Sequence, residues 1–143
     1  MSSMSADAAR ALVQSYNRAE WDRFEALFAP DAIYDEVGTG RRARGGPEIV
    51  EMFKGWKRAM PDSEGAVNDA VDAGNTAVLE VTWTGRFTGP LTTPEGELAP
   101  TGKRQTSRSC IVVRFEANVA KECRQYFDSM SLMRQLGVPP ATL

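Results

Sequence analysis

The chain has 143 residues, 42% hydrophobic and 25% charged, which suits a single domain over 1–143 with a real core. A formal net charge of −2 argues against the clustered Lys and Arg excess on which nucleic-acid and anionic-membrane binders rely. Histidine is absent, which removes Ser-His-Asp and Cys-His catalysis, His-ligated zinc and imidazole acid–base chemistry.

The first half reads as helical. Ser5 and Asp7 suit a helix start, and Leu12, Val13 and Tyr16 fall on one face of an amphipathic helix. Trp21, Phe24, Leu27 and Phe28 form a second, shorter apolar face, ended at Ala29-Pro30-Asp31 because Pro pushes its predecessor out of the α region. Residues 32–37 read as a strand and 38–46 as a glycine-marked loop, with Arg41, Arg42 and Arg44 a solvated cluster. A third helix opens at Pro47 and carries Ile49, Met52, Phe53, Trp56 and Met60 as its apolar stripe. After Pro61 the period falls to two, and strands are predicted over 65–73, 76–88, 103–115 and 119–128. Gly74-Asn75 and 116–118 are turns; 89–102, with its prolines, is a long connection; 129–136 is a last helix stopped at Gly137.

This order predicts an α+β fold: a cone-shaped barrel whose curved, mostly antiparallel sheet is covered by the N-terminal helices around an internal pocket. Cys110 and Cys123 form no CxxC pair and are expected as reduced thiols. No apolar run is long enough to span a membrane, and the N-terminus lacks a signal-peptide pattern, so a cytosolic location is expected. The glycine-bearing loops match no phosphate-binding fingerprint, and no metal site is expected.

Without histidine, acid–base work falls to carboxylates and hydroxyls. Asp128 ends a strand and precedes a helix, so it either faces the pocket as an acid/base or caps that helix. Arg114, in an apolar strand, either turns inward to pair a carboxylate or outward to solvent, and Arg124 and Tyr126 share the face of Asp128. Asp35 and Glu36 lie on opposite faces of their strand, so one points inward. Tyr16 is a core tyrosine or a hydroxyl donor to a substrate carbonyl. Phe53, Trp56, Trp83 and Phe87 are expected between sheet and helices, where they would line a pocket for a hydrophobic ligand.

Several strings carry a family resemblance: Leu27-Phe28-Ala29-Pro30-Asp31-Ala32; Met60-Pro61-Asp62 with Asn68-Asp69; Gly85-Arg86-Phe87-Thr88-Gly89 with Pro100-Thr101-Gly102-Lys103-Arg104; and, most specifically, 126–137 from Tyr126-Phe127-Asp128 to Leu136-Gly137. Together they resemble the SnoaL-like polyketide cyclases of the nuclear-transport-factor-2-like superfamily, over nearly the whole chain. In that family an aspartate at the position matching Asp128 is the general acid/base of an intramolecular aldol closure. The family's histidines correspond here to Arg114, Phe87 and the neighbourhood of Asp35, which favours Asp35 over Glu36. Val13-Gln14-Ser15-Tyr16 and Ile33-Tyr34-Asp35-Glu36 also resemble the oxyanion-tyrosine and base segments of ketosteroid isomerases, a likeness that leaves Asp35 and Glu36 both open.

The resemblance implies a cofactor-free enzyme acting on a hydrophobic polycyclic or polyketide-like molecule, by cyclisation or isomerisation through a carbon acid, and a homodimer. Asp128, Asp35 and Tyr16 are its expected catalytic residues; Phe53, Trp56, Trp83, Phe87, Arg114, Arg124 and Tyr126 are its expected substrate contacts. Epoxide hydrolysis, a polyketide-hydroxylation accessory role and non-catalytic ligand binding are the alternatives.

Overall fold

The computed structural model describes residues 4–138. Helices α1 (Met4–Asn17), α2 (Trp21–Ala26) and α3 (Gly46–Ala59) come first, interleaved with strands β1 (Phe28–Glu36) and β2 (Arg41–Arg44). Strands β3 (Glu64–Ala73), β4 (Thr76–Arg86), β7 (Arg104–Glu116) and β8 (Val119–Phe127) follow, with a small hairpin of β5 (Leu91–Thr93) and β6 (Gly96–Leu98) between β4 and β7. Helix α4 (Ser129–Leu136) ends the fold.

The α+β expectation holds: helices cover a curved six-stranded sheet of order β2-β1-β8-β7-β4-β3 that does not close on itself. The β3-β4-β7-β8 meander is antiparallel throughout, while β1 joins β8 in parallel. No helix among the described residues is long and apolar enough to cross a membrane.

The helices form where their sequences say. In α3, Pro47 sits in the first turn with Glu48, and Lys57 and Arg58 sit in the last, complementing the helix dipole. Its buried face is Ile49, Val50 and Phe53. In α4, the Asp128 side chain accepts from the Ser131 N–H at 3.0 Å, and Gly137 turns left-handed at φ 77° to close the C-terminus.

Three local expectations are corrected. Phe28 belongs to β1, not to the second helix, and Ala29, Pro30 and Asp31, expected as the break after that helix, lie in β1 too. The Ala120 N–H donates to Leu27 O, drawing the segment onto β8, and a register shift between Phe28 and Ile33 absorbs the proline, which has no N–H for the ladder. The arginine-rich loop contains β2, which pairs with β1 from Glu36↔Arg41 to Ile33↔Arg44. Only Ala43 of that strand is buried, so no hydrophobic alternation marks it. The long connection folds into the β5–β6 hairpin, anchored by buried Leu91.

Two apolar clusters fill the interior. One joins α1, α2 and α3 to the sheet through residues such as Leu12, Phe24, Tyr34, Phe53, Leu79 and Val113. The other joins the end of α3 to α4 through Met60, Phe87, Leu91, Leu132, Met133 and Leu136. Gly89 holds the chain against α3: the N–H groups of Thr88 and Gly89 both donate to Ala59 O, at 3.1 and 3.0 Å. A Cβ on Gly89 would stand 2.0 Å from the Arg58 carbonyl oxygen. Gly89→Ala is therefore expected to cost about 1–3 kcal/mol in urea unfolding; unchanged stability would show that this contact yields freely.

Candidate active site

A cavity opens where the two clusters meet. It is lined by apolar side chains including Phe53, Trp56, Met60, Trp83, Phe127 and Leu132, and about 70 Å³ is open to the centre of a water molecule. Polar groups enter at a few points: Glu36, Tyr16 with Ser63, Gln105 with Ser107, and Gln125. Strand parity sets them there. Glu36 and Gln125 are register partners on β1 and β8, so their side chains share the inner face.

Glu36 is 1% exposed. Its Oε1 accepts from Thr39 Oγ1 at 2.6 Å, Arg41 Nη2 at 2.7 Å and Arg41 Nε at 3.0 Å. Its Oε2 accepts from Trp56 Nε1 at 2.8 Å. Every partner is a donor, which is the surrounding of a carboxylate anion. Oε2 takes a single bond among the described residues and keeps a lone pair for a ligand. The tight turn makes this possible: the Thr39 and Gly40 N–H groups close on Glu36 O, which brings Arg41 opposite Glu36 in the ladder. The Arg41 guanidinium also lies 5.7 Å from the centre of the Trp56 ring.

Deeper in, Gln125 Oε1 accepts from Trp83 Nε1 at 3.0 Å and Ser109 Oγ at 2.9 Å, and its Nε2 donates to Tyr34 Oη at 2.7 Å. Trp83 reaches this network because Gly65 lies beneath it; a Cβ there would come within 2.7 Å of the indole. Burial drives the Tyr34 phenol well above its ordinary value, with Glu36 and Cys123 adding to the rise.

The Tyr16 ring meets Trp83 edge-on at 5.2 Å and Phe53 at 6.0 Å, and its hydroxyl bonds Ser63 Oγ at 2.6 Å. Burial pushes the phenol from 10.0 up to about 12, against a smaller lowering by the Ser63 hydrogen bond. It is therefore a neutral donor at any working pH. Below pH 10 this shift leaves stability unchanged; between pH 10 and 12 only the unfolded chain loses the proton, and stability falls by about 3 kcal/mol. Guanidinium unfolding from pH 9 to 12 is expected to show that decline, shallower by about that amount in Tyr16→Phe. Equal slopes in the two proteins would place the Tyr16 hydroxyl in contact with water.

The residues expected at the site separate into three groups. Tyr16, Phe53, Trp56 and Trp83 line the cavity. Phe87 does not: it is fully buried in the second cluster. Asp128, Asp35, Arg114, Arg124 and Tyr126 also lie outside it, which corrects their placement. Asp128 is exposed and caps α4. Asp35 precedes inward-facing Glu36, so it points to the outer face, where its register partners are Arg42 and Arg124. Arg114 lies between buried Val113 and Phe115 and pairs outside with Glu116 and Glu122. Arg124 and Tyr126 flank inward-facing Gln125, and Arg124 Nε donates to Tyr126 Oη at 3.2 Å on the outer face. The expectation that they share a face is right, but the face is the outer one.

Arg41, Ser63, Gln105 and Gln125 are site residues that the sequence reading missed. The alternation around buried Cys123 could have flagged Gln125; nothing local marks the other three. Both cysteines are free, and burial pushes the Cys123 thiol up to about 12. Among the described residues, no group of three or more His, Cys, Asp or Glu side chains could hold a metal ion.

Comparison with known proteins places this architecture. A structure from Jannaschia sp. CCS1 described as a SnoaL-like polyketide cyclase superposes with a TM-score of 0.84 at 16% identity, over 96% of this chain and 94% of that one. A protein of ketosteroid isomerase-like fold from Catenulispora acidiphila, solved with trimethylamine, gives 0.78 at 16% identity over 94% and 95%. An epoxide hydrolase of LEH-like type from M. tuberculosis gives 0.71 at 18% identity over 93% and 89%. No curated protein shows a significant sequence match. These likenesses establish a shared fold, and the family model of SnoaL-like polyketide cyclases matches residues 6–136. With nearly the whole described chain matched, this protein belongs to the SnoaL-like polyketide cyclase family.

Proposed function

We propose that this chain is an enzyme acting on a hydrophobic, polyketide-like carbonyl compound, and that Glu36 is its general base. The observation that carries the proposal is a buried carboxylate in an apolar cavity, surrounded only by donors, with capacity left on Oε2. Such a group suits proton removal from a carbon acid, since a fixed base in a water-poor site needs little reorganisation.

In this reading Oε2 takes a proton from the carbon next to the ligand carbonyl. The C–H electron pair moves into the carbonyl, and negative charge develops on its oxygen. A hydroxyl proton of the Tyr16–Ser63 pair stabilises that oxygen. Where a carbon–carbon double bond extends the enolate to a dienolate, the far carbon regains the proton from Glu36, an isomerisation; otherwise the enolate attacks a second carbonyl of the same molecule, a ring closure that returns the proton to the new alkoxide. Arg41, Thr39 and Trp56 orient Glu36 through the hydrogen bonds they donate to it. Membership of the SnoaL-like polyketide cyclase family supports the reading.

The test is deuterium exchange into 2-tetralone in D₂O, followed by NMR. The protein is expected to accelerate exchange at the carbons beside the carbonyl with saturation kinetics, and 2-naphthol, a planar mimic of the enol, is expected to inhibit. Binding of 2-naphthol without any acceleration would overturn the catalytic reading and leave a ligand-binding protein.

A further inference from the structure

Gln105 lies near the start of β7 at the end of the cavity marked by Tyr16 and Ser63, and it is 4% exposed. Its Oε1 accepts from Ser107 Oγ. Its Nε2 carries two N–H donors, and none of the described residues accepts from them. Buried amides ordinarily find partners, so a vacant one calls for an explanation. No fully buried side-chain nitrogen or oxygen among the described residues lacks a partner, so this nitrogen opens onto the cavity and is not sealed in the core.

A second donor lines the same cavity. Tyr16 and Ser63 hold two hydroxyl protons between them, and the 2.6 Å bond that joins them uses one. The other proton has no acceptor among the described residues. Gly85 links the two positions: it is the cross-strand partner of Gln105, and a Cβ on it would lie 3.2 Å from Ser63 Cα. Having no side chain, Gly85 lets Met60 and Ser63 pack directly against the strand that pairs with Gln105. Among the described residues, no lysine or arginine lines the cavity. Lys57 Nζ lies 4.7 Å from the centre of the Tyr16 ring and donates to the carbonyl oxygens of Ser63 at 2.6 Å and Asn17 at 3.4 Å.

We propose that the Gln105 carboxamide and the spare Tyr16–Ser63 proton form a two-donor subsite for a neutral oxygen acceptor, and that the ligand is therefore a ketone seated with its carbonyl oxygen against Gln105 Nε2. Neutral donors without a cation select a carbonyl over a carboxylate or phosphate, whose full charge would be buried unpaired. The inference rests on the proposed function only in taking this oxygen as the one on which charge develops; the binding preference stands by itself. Gln105 is a specificity-determining residue at this subsite.

The test compares 2-tetralone with tetralin, the same bicycle without the oxygen, by tryptophan fluorescence, since Trp56 and Trp83 line the cavity. The native protein is expected to prefer the ketone by about tenfold. Gln105→Met, similar in shape but without donors, is expected to reduce that preference at least fivefold on the order of one lost hydrogen bond, with tetralin affinity unchanged. Ser63→Ala leaves a phenol proton free and is expected to change the ratio less than about twofold, whereas Tyr16→Phe/Ser63→Ala together remove the donor and lower it. Equal affinities in the native protein, or a ratio that neither Gln105→Met nor the double variant moves, would overturn the subsite. The exchange assay keeps the two readings apart. Exchange with an unmoved ratio removes the subsite and leaves Glu36 as base; a moved ratio without exchange removes the base and leaves the subsite.

Discussion

Glu36→Gln is expected to lower the exchange rate on 2-tetralone by about 10²–10⁴-fold, the usual loss when a positioned base is removed. Glutamine keeps the volume and can still accept from Arg41 and Thr39 through its oxygen. Its nitrogen then faces the Trp56 indole N–H, donor against donor, where Oε2 accepted at 2.8 Å. That conflict costs about 1–3 kcal/mol of stability and does not unfold the chain. The affinity for 2-naphthol should change little, so the loss falls on turnover and not on binding. Glu36→Asp separates base from mere charge: it keeps the carboxylate but withdraws it by about one methylene, and a misplacement of that order costs about 10²-fold. Full exchange activity in Glu36→Gln would remove Glu36 from the chemistry.

Arg41→Met is the largest stability effect expected, about 3–5 kcal/mol, because it leaves an anion buried without its cation. Glu36 is 1% exposed and pairs with Arg41 Nη2 at 2.7 Å, while the Arg41 side chain is 33% exposed at the mouth. Nearly all of the penalty therefore belongs to the carboxylate. Methionine matches much of the lost packing, so the cost reads the charge. The double variant Glu36→Gln/Arg41→Met should recover most of it, because a neutral amide needs no counter-ion. Urea unfolding of the two single variants and the double closes the cycle. A cost below about 1 kcal/mol for Arg41→Met would show that Arg41 does not hold the anion.

These expectations centre on Glu36 and Arg41, and the reasons the sequence pointed first to Asp35 and to a solvated arginine cluster are physical. A strand flips every side chain to the other face when its register moves by one residue. Which of Asp35 and Glu36 points inward was therefore open to a one-residue slip, and the family histidine position tipped the reading to the wrong neighbour. The shift between Phe28 and Ile33, together with the parallel pairing of Glu36 with Gln125, sets the parity. Arg41 looked like surface because its neighbours are Arg42 and Arg44; its role depends on the hairpin that places it opposite Glu36.

By itself the sequence determined the four helices, the strands of the meander, the order of these elements and the two-layer architecture, but not β2, β5 or β6. These follow from periods of 3.6 and 2 and from Pro and Gly at the breaks, all local signals. The Asp128 cap was a local signal too, an aspartate before Ser129-Met130-Ser131, but the sequence left cap and pocket both open and the family resemblance chose the pocket. The aromatic lining by Phe53, Trp56 and Trp83 was legible because an apolar stripe on a helix or strand has one place to go. Only the tertiary structure decided which carboxylate is buried, which cation holds it, and which donors are left without acceptors. Those are matters of side-chain parity and of contacts across tens of residues, Trp56 to Glu36 and Gly85 beside Ser63 among them. No periodicity within one segment encodes them, because each depends on how separate segments register against one another.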